Sequence, residues 1–119
     1  MKLPLQISFR GMETSPALER RIRDKVARLE RVHDRLMSCA VVVDARTRRL
    51  HKGKVYRVGI DLRGPGFELA VGKSGRRNPA HEDITIALRD AFDAIGRQLE
   101  DRVRISRGDV KTHRTRAAV

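Results

Sequence analysis

The chain has 119 residues, with 27 Lys and Arg against 15 Asp and Glu, for a formal net charge of +12. That length suits one domain with a single core, and the lone cysteine, Cys39, excludes an internal disulfide. The absence of Trp and the presence of only Tyr56, Phe9, Phe67 and Phe92 argue against single-strand binding through stacked bases, while a charge this far above the magnitude of about 2 to 8 that solubility asks for points to a polyanionic partner, nucleic acid first.

The N-terminal Met1-Lys2-Leu3-Pro4-Leu5 has no apolar core of a signal peptide. Nor does any apolar stretch approach membrane-spanning length, so a soluble cytoplasmic protein with no membrane partner is expected. Leu5-Gln6-Ile7-Ser8-Phe9-Arg10 alternates apolar and polar residues and predicts a half-buried strand that Gly11 ends. Ser15-Pro16 has the pattern of a helix N-cap followed by proline at the first helical position. From Ala17 to about His33, Leu18, Ile22, Val26, Leu29 and Val32 recur at helical spacing.

Cys39 to Val43 is a nearly continuous apolar run, as in a central strand. Cys39 within it fits a small buried hydrophobe better than a reactive thiol. Arg46 to Lys54 forms a polar, basic connection. Tyr56, Val58, Ile60 and Leu62 then alternate with Arg57, Gly59, Asp61 and Arg63. After the turn Gly64-Pro65-Gly66, Phe67, Leu69 and Val71 alternate with Glu68, Ala70 and Gly72, so the two strands should form a hairpin. Lys73 to Pro79 is a basic loop. A second helix is expected from near His81 to about Ile105, with Leu88, Phe92, Ile95 and Leu99 as its stripe. Residues 106–119 lack periodicity and have the composition of a basic disordered tail behind a single RNA- or ribosome-binding domain over 1–105.

The order β-α-β-β-β-α, with one apolar face on most strands, predicts an α+β fold. Its form is a four-stranded mixed sheet with both helices packed on one face and the other face open to water. The first two strands should pair in parallel across the first helix and the rest antiparallel.

No catalytic constellation appears. His33, His51, His81 and His113 are scattered and have no metal-site spacing with Cys39. Gly72-Lys73-Ser74 lacks the correctly spaced upstream glycine of a phosphate-binding loop. The expectation is therefore a protein that is not an enzyme, with no cofactor, metal or small-molecule substrate.

The first helix places Arg21, Lys25 and Arg28 three or four residues apart, so their side chains are neighbours. Arg89, Arg97 and Arg104 lie along the polar side of the second. Helices side by side would bring these rows together into a surface suited to duplex RNA, read by shape and phosphate. The competing reading is a solvated face with intrahelical pairs, since Glu19–Arg23 and Asp24–Arg28 are spaced for them.

Three stretches resemble the bacterial ribosome hibernation-promoting factors, also called ribosome-associated inhibitors or sigma-54 modulation-type proteins. They are Ile7-Ser8-Phe9-Arg10-Gly11-Met12-Glu13 with Ser15-Pro16-Ala17-Leu18, then Lys25-Val26-Ala27-Arg28-Leu29-Glu30-Arg31, and last His81 to Leu88 continuing to Gly96-Arg97-Gln98-Leu99-Glu100. The resemblance spans residues 1 to 105. It implies a fold like a double-stranded RNA-binding domain. It further implies binding to the small ribosomal subunit and its rRNA, in the channel of messenger and transfer RNA, which silences translation and protects idle ribosomes of resting or stressed cells. The family's basic helix positions carry over to Lys25, Arg28 and Arg97; Arg21, Arg89 and Arg104 are added from facing geometry.

The second helix departs from the family pattern, with Ala94 where a basic residue is common and Asp90, Asp93, Glu100 and Asp101 making it mixed. Long members carry a second domain that pairs ribosomes, and on the resemblance the 119 residues are expected to correspond to the short form without it. Arg107 to His113 resembles the junction of variants that continue into a cold-shock-like domain.

The reading is thus a translation inhibitor that acts by occlusion. One rival is a generic double-stranded RNA-binding module. The other is a protein-interaction modulator of a transcription factor using the open sheet face, where Gln6, Ser8, Arg57, Asp61, Arg63 and Glu68 offer no aromatic anchor.

Overall fold

The computed structural model describes residues 3–47, 54–72 and 83–106. Its elements follow the order β1 Leu5–Arg10, α1 Pro16–Val32, β2 Ser38–Thr47, β3 Lys54–Gly64, β4 Phe67–Val71 and α2 Ile84–Ser106. The four strands form one sheet in the order β1-β2-β3-β4; β1 and β2 run parallel and the other neighbours antiparallel. This is the predicted α+β architecture.

Register explains why alternation was so readable. Leu5, Cys39, Leu62 and Leu69 lie opposite one another across the four strands, as do Ile7, Val41, Ile60 and Val71, and as do Phe9, Val43 and Val58 across three. These rows face the helices. The core closes where they meet Ile22, Val26 and Leu29 of α1 and Leu88, Phe92, Ile95 and Leu99 of α2. α2 packs over β3 and β4 and against α1.

The helix boundaries have local causes. Ser15 caps α1, its Oγ accepting the Leu18 N–H at 3.3 Å, with Pro16 at the first helical position. At the other end the His33 N–H donates to the Leu29 carbonyl at 3.1 Å. α2 begins at Ile84 because Asp83 caps it: its Oδ1 accepts the Thr85 N–H at 2.9 Å and its carbonyl the Ala87 N–H at 3.0 Å. The expected start near His81, the loop Lys73–Pro79, residues 48–53 of the basic connection and the tail from Arg107 onward lie outside the described residues.

β2 is longer than the sequence run suggested. The alternation continues past Val43 through Asp44, Ala45 and Arg46 to Thr47, paired with β3 throughout. The basic connection therefore begins later than expected, and Arg46 belongs to the sheet. β2 is central, as predicted, but is not covered on both faces. Ala40 and Val42 pair with Gln6 and Ser8 on the helix-free side and stay half-buried. The hairpin turn has Pro65 followed by Gly66 at φ +78°, the type II pattern that favours glycine at its second central position.

Candidate nucleic-acid interface

Topology fixes how the helices lie. α1 must run back against β1 to return the chain to the parallel β2, and α2 runs back against β4 in the same sense, so the helices are parallel. They meet at Leu29 and Gly96, where a Cβ on the glycine would lie 3.9 Å from Leu29 Cδ2. Further along in the same direction, Val32 and Val103 line one shared cleft.

The position of Leu29 orients the basic row of α1. At 3.6 residues per turn, Arg21, Lys25 and Arg28 fall within an arc of about 60°. That arc adjoins the Leu18–Leu29–Val32 side that meets α2, not the opposite side, where Glu30 accepts the Leu3 N–H at 3.2 Å. Arg21 and Arg28 are exposed and Lys25 is half-buried. The three cations thus line the α1 bank of the groove between the helices.

The α2 bank is different. Arg89 lies seven residues before Gly96 and so shares its α1-facing side. Arg97 and Arg104 share a line about 80° further round, toward solvent. Asp93 and Glu100 fall between these lines. Counting from Leu29 and Gly96 in the parallel sense, Arg21 stands level with Leu88, next to Arg89, Lys25 with Phe92, next to Asp93, and Arg28 with Ile95, a little before Arg97. The structure therefore brings Arg21, Lys25, Arg28, Arg89 and Arg97 around one groove, and places Arg104 beyond its end.

Ion pairing divides the six further. Arg89 Nη2 lies 3.3 Å from Asp90 Oδ1, and Arg104 pairs with Asp101. Both pairs are exposed and contribute about 0–1 kcal/mol, but each places a carboxylate beside the guanidinium that would meet a phosphate. Arg21, Lys25, Arg28 and Arg97 take part in no ion pair among the described residues; the spacings Glu19–Arg23 and Asp24–Arg28 are not used. α1 carries six basic and three acidic side chains, whereas α2 carries four of each. The positive field of the helix layer therefore comes from α1.

Two further groupings escaped the sequence reading. At one end of the groove the Phe67 ring holds the edge of His33 at 5.4 Å between centroids and lies under the Arg102 guanidinium at 5.3 Å. Arg102 also donates to the Gly66 carbonyl at 3.4 Å, so the hairpin turn, α2 and the end of α1 are tied together. Gly64 keeps the ring's place, since a Cβ there would strike it. On the helix-free face, Arg10, Asp44 and Arg57 stand in one row across β1, β2 and β3, with Arg46 beside Asp44. The signal for this row was the alternation of β2, which carries Ala40, Val42, Asp44 and Arg46 on one side.

Cys39 is 2% exposed and faces the core. Burial first, then the nearby Asp61 carboxylate, pushes its thiol up to about 12. It is a packing residue at neutral pH. Among the described residues no cluster of three His, Cys, Asp or Glu could hold a metal, and no helix is long and apolar enough to cross a membrane.

The family model described as Sigma 54 modulation protein / S30EA ribosomal protein matches residues 5–105. Among solved structures, the crystal structure of the Thermus thermophilus Protein Y N-terminal domain superposes with a TM-score of 0.64 at 24% identity, covering 85% of this chain and 98% of that one. A ribosomal subunit interface protein from Coxiella burnetii gives 0.58 at 17% identity, covering 89% and 99%. At these identities the likeness is one of fold. No curated protein sequence matches the chain.

Proposed function

Because the chain belongs to the sigma-54 modulation protein / S30EA ribosomal protein family over residues 5–105, we propose that it is a ribosome-associated inhibitor of translation. In this reading, residues 1–105 are the ribosome-binding domain. It binds the small subunit through rRNA phosphates, occupies the path of messenger and transfer RNA, and keeps ribosomes of resting or stressed cells idle. It acts in the cytoplasm, by occlusion rather than catalysis.

The observation that carries the reading is the α1 bank of the inter-helix groove. Arg21, Lys25 and Arg28 lie on one side of one helix, with no ion-pair partner among the described residues. A duplex recognised by shape asks for such a row, because phosphates are met by fixed cations and no base edge has to be read. Arg97, a little further along the groove than Arg28, extends the row onto α2. Arg89 and Arg104 contribute less in this scheme, each sharing its guanidinium with an aspartate.

The test is co-sedimentation of the purified protein with small subunits and with whole ribosomes, from low to high salt. Stoichiometric binding that salt weakens and that messenger or transfer RNA displaces supports occlusion. Affinity for free duplex RNA equal to that for ribosomes favours a general RNA-binding module. No co-sedimentation at low salt by the folded protein refutes the reading.

A further inference from the structure

We propose that the helix-free face of the sheet carries a second RNA-backbone contact, built on Arg10 and Arg57, so that the protein is held between two RNA segments rather than docked through its helices alone. This rests on the ribosome-binding reading and extends it to a surface that the helix rows do not include.

Strand register places Arg10 of β1 and Arg57 of β3 on either side of Asp44 of β2. Neighbouring strands lie about 4.8 Å apart, so the two backbones stand roughly 10 Å from each other. Arg46, two residues along β2 on the same face, takes the Asp44 carboxylate at 3.0 Å. Arg10 and Arg57 form no ion pair among the described residues. This end of the face therefore holds three guanidiniums around one carboxylate.

The other end is balanced, because Arg63 pairs with Glu68 at 2.9 Å and Asp61 stands nearby. The charge on the sheet is thus polarised toward the Arg10–Arg57 end. Beside the cluster, Ala40, Val42, Gly59 and Gly72 give small residues to the floor of a shallow trough of about 420 Å³, and Asp61 lines its end away from Arg57. Among the described residues that line the trough, no aromatic side chain stands between a polymer backbone and the guanidiniums. Arginine suits this task because its planar fork matches phosphate oxygens in pairs.

An extended phosphate backbone is the occupant that the charge favours. A folded protein partner would leave part of the excess cation charge unpaired, and the trough offers no aromatic anchor for one. The helices cover the opposite side of the same sheet, so this cluster and the α1 row face away from each other.

The test compares variants in binding to small ribosomal subunits as a function of salt. Arg10→Gln with Arg57→Gln leaves the Arg46–Asp44 pair in place. If each arginine meets one phosphate, the slope of log K against log salt falls by roughly 1.4 to 1.8. Arg10→Lys with Arg57→Lys restores it in large part, and Asp44→Asn, which frees Arg46, strengthens binding, an effect that loss of folding would not produce. An unchanged slope in the glutamine variant, while Arg21→Gln with Arg28→Gln lowers it, overturns the sheet contact and leaves the ribosome reading standing. Absence of binding by the unaltered protein removes both. Poly-glutamate binding that the glutamine variant loses, with subunit binding unchanged, assigns the face to an acidic protein segment and overturns the proposal.

Discussion

Leu29 of α1 and Gly96 of α2 face each other across the helix pair, and the glycine leaves 3.9 Å between Leu29 Cδ2 and the place its own Cβ would occupy. That gap is an ordinary van der Waals contact, so Gly96 is not required by the space around it. It sits mid-helix, where glycine is less favourable than alanine by roughly 0.5–1 kcal/mol.

Gly96→Ala should therefore stabilise the protein by about 0.5–1 kcal/mol, raising the melting temperature by a few degrees in a domain of this size. Ribosome binding should be unchanged. Gly96→Leu should do the opposite, pushing Arg28 and Arg97 apart and weakening binding at constant salt. Thermal melting and co-sedimentation of the two variants check both statements.

Gly11 allows no such freedom. Its φ is +71°, and a Cβ would collide with the Ala45 carbonyl oxygen. Gly11→Ala combines left-handed backbone strain with a clash against backbone that cannot turn aside. It should cost about 1–3 kcal/mol in a denaturant melt, whereas Gly66→Ala, with φ +78° but open space, should cost less.

Charge reversal separates the helix residues from one another. Lys25→Glu with Arg28→Glu places two anions on the α1 bank and should abolish ribosome binding at moderate salt. Arg104→Gln removes a cation already paired with Asp101 beyond the end of the groove. It should lower the salt slope by less than the roughly 0.7–0.9 expected of a full phosphate contact.

The Cys39 thiol gives a pH signature. Its folded value of about 12 lies above the ordinary thiol range, because burial disfavours the thiolate. Below pH 9 both folded and unfolded chains hold the proton, and the group has no effect. Between about 9 and 12 the unfolded chain releases it and the folded chain does not, so stability falls as pH rises. At pH 8 the native protein should resist iodoacetamide and become labelled only on unfolding. Rapid labelling of the native protein would contradict the packing described for β2.

Most of the architecture was legible because each face of the sheet reports in single residues. Leu5, Ile7 and Phe9 declared β1, and Tyr56, Val58, Ile60 and Leu62 declared β3, with Ser15-Pro16 marking the start of α1. The end of β2 was misread because Asp44 and Arg46 interrupt the apolar run, although they continue its alternation on the exposed side. The start of α2 depends on a cap at Asp83 that competes with equally polar neighbours.

The candidate site was legible in part. Helical spacing grouped Arg21, Lys25 and Arg28, and the structure keeps them together. Spacing alone could not reveal that Asp93 and Glu100 stand on the facing side of α2, or that Arg89 and Arg104 are paired. Nor could it reveal the Arg10–Asp44–Arg57 row, which exists only through the register of three strands.

The groove joins the first helix of the chain to the last. A chain still being made, with β1, α1 and β2 emerged, carries the α1 cations on a helix whose apolar stripe has no α2 to cover it, and its sheet lacks β3 and β4. The two banks of the groove therefore come together only after the last element of the fold, α2, has been made.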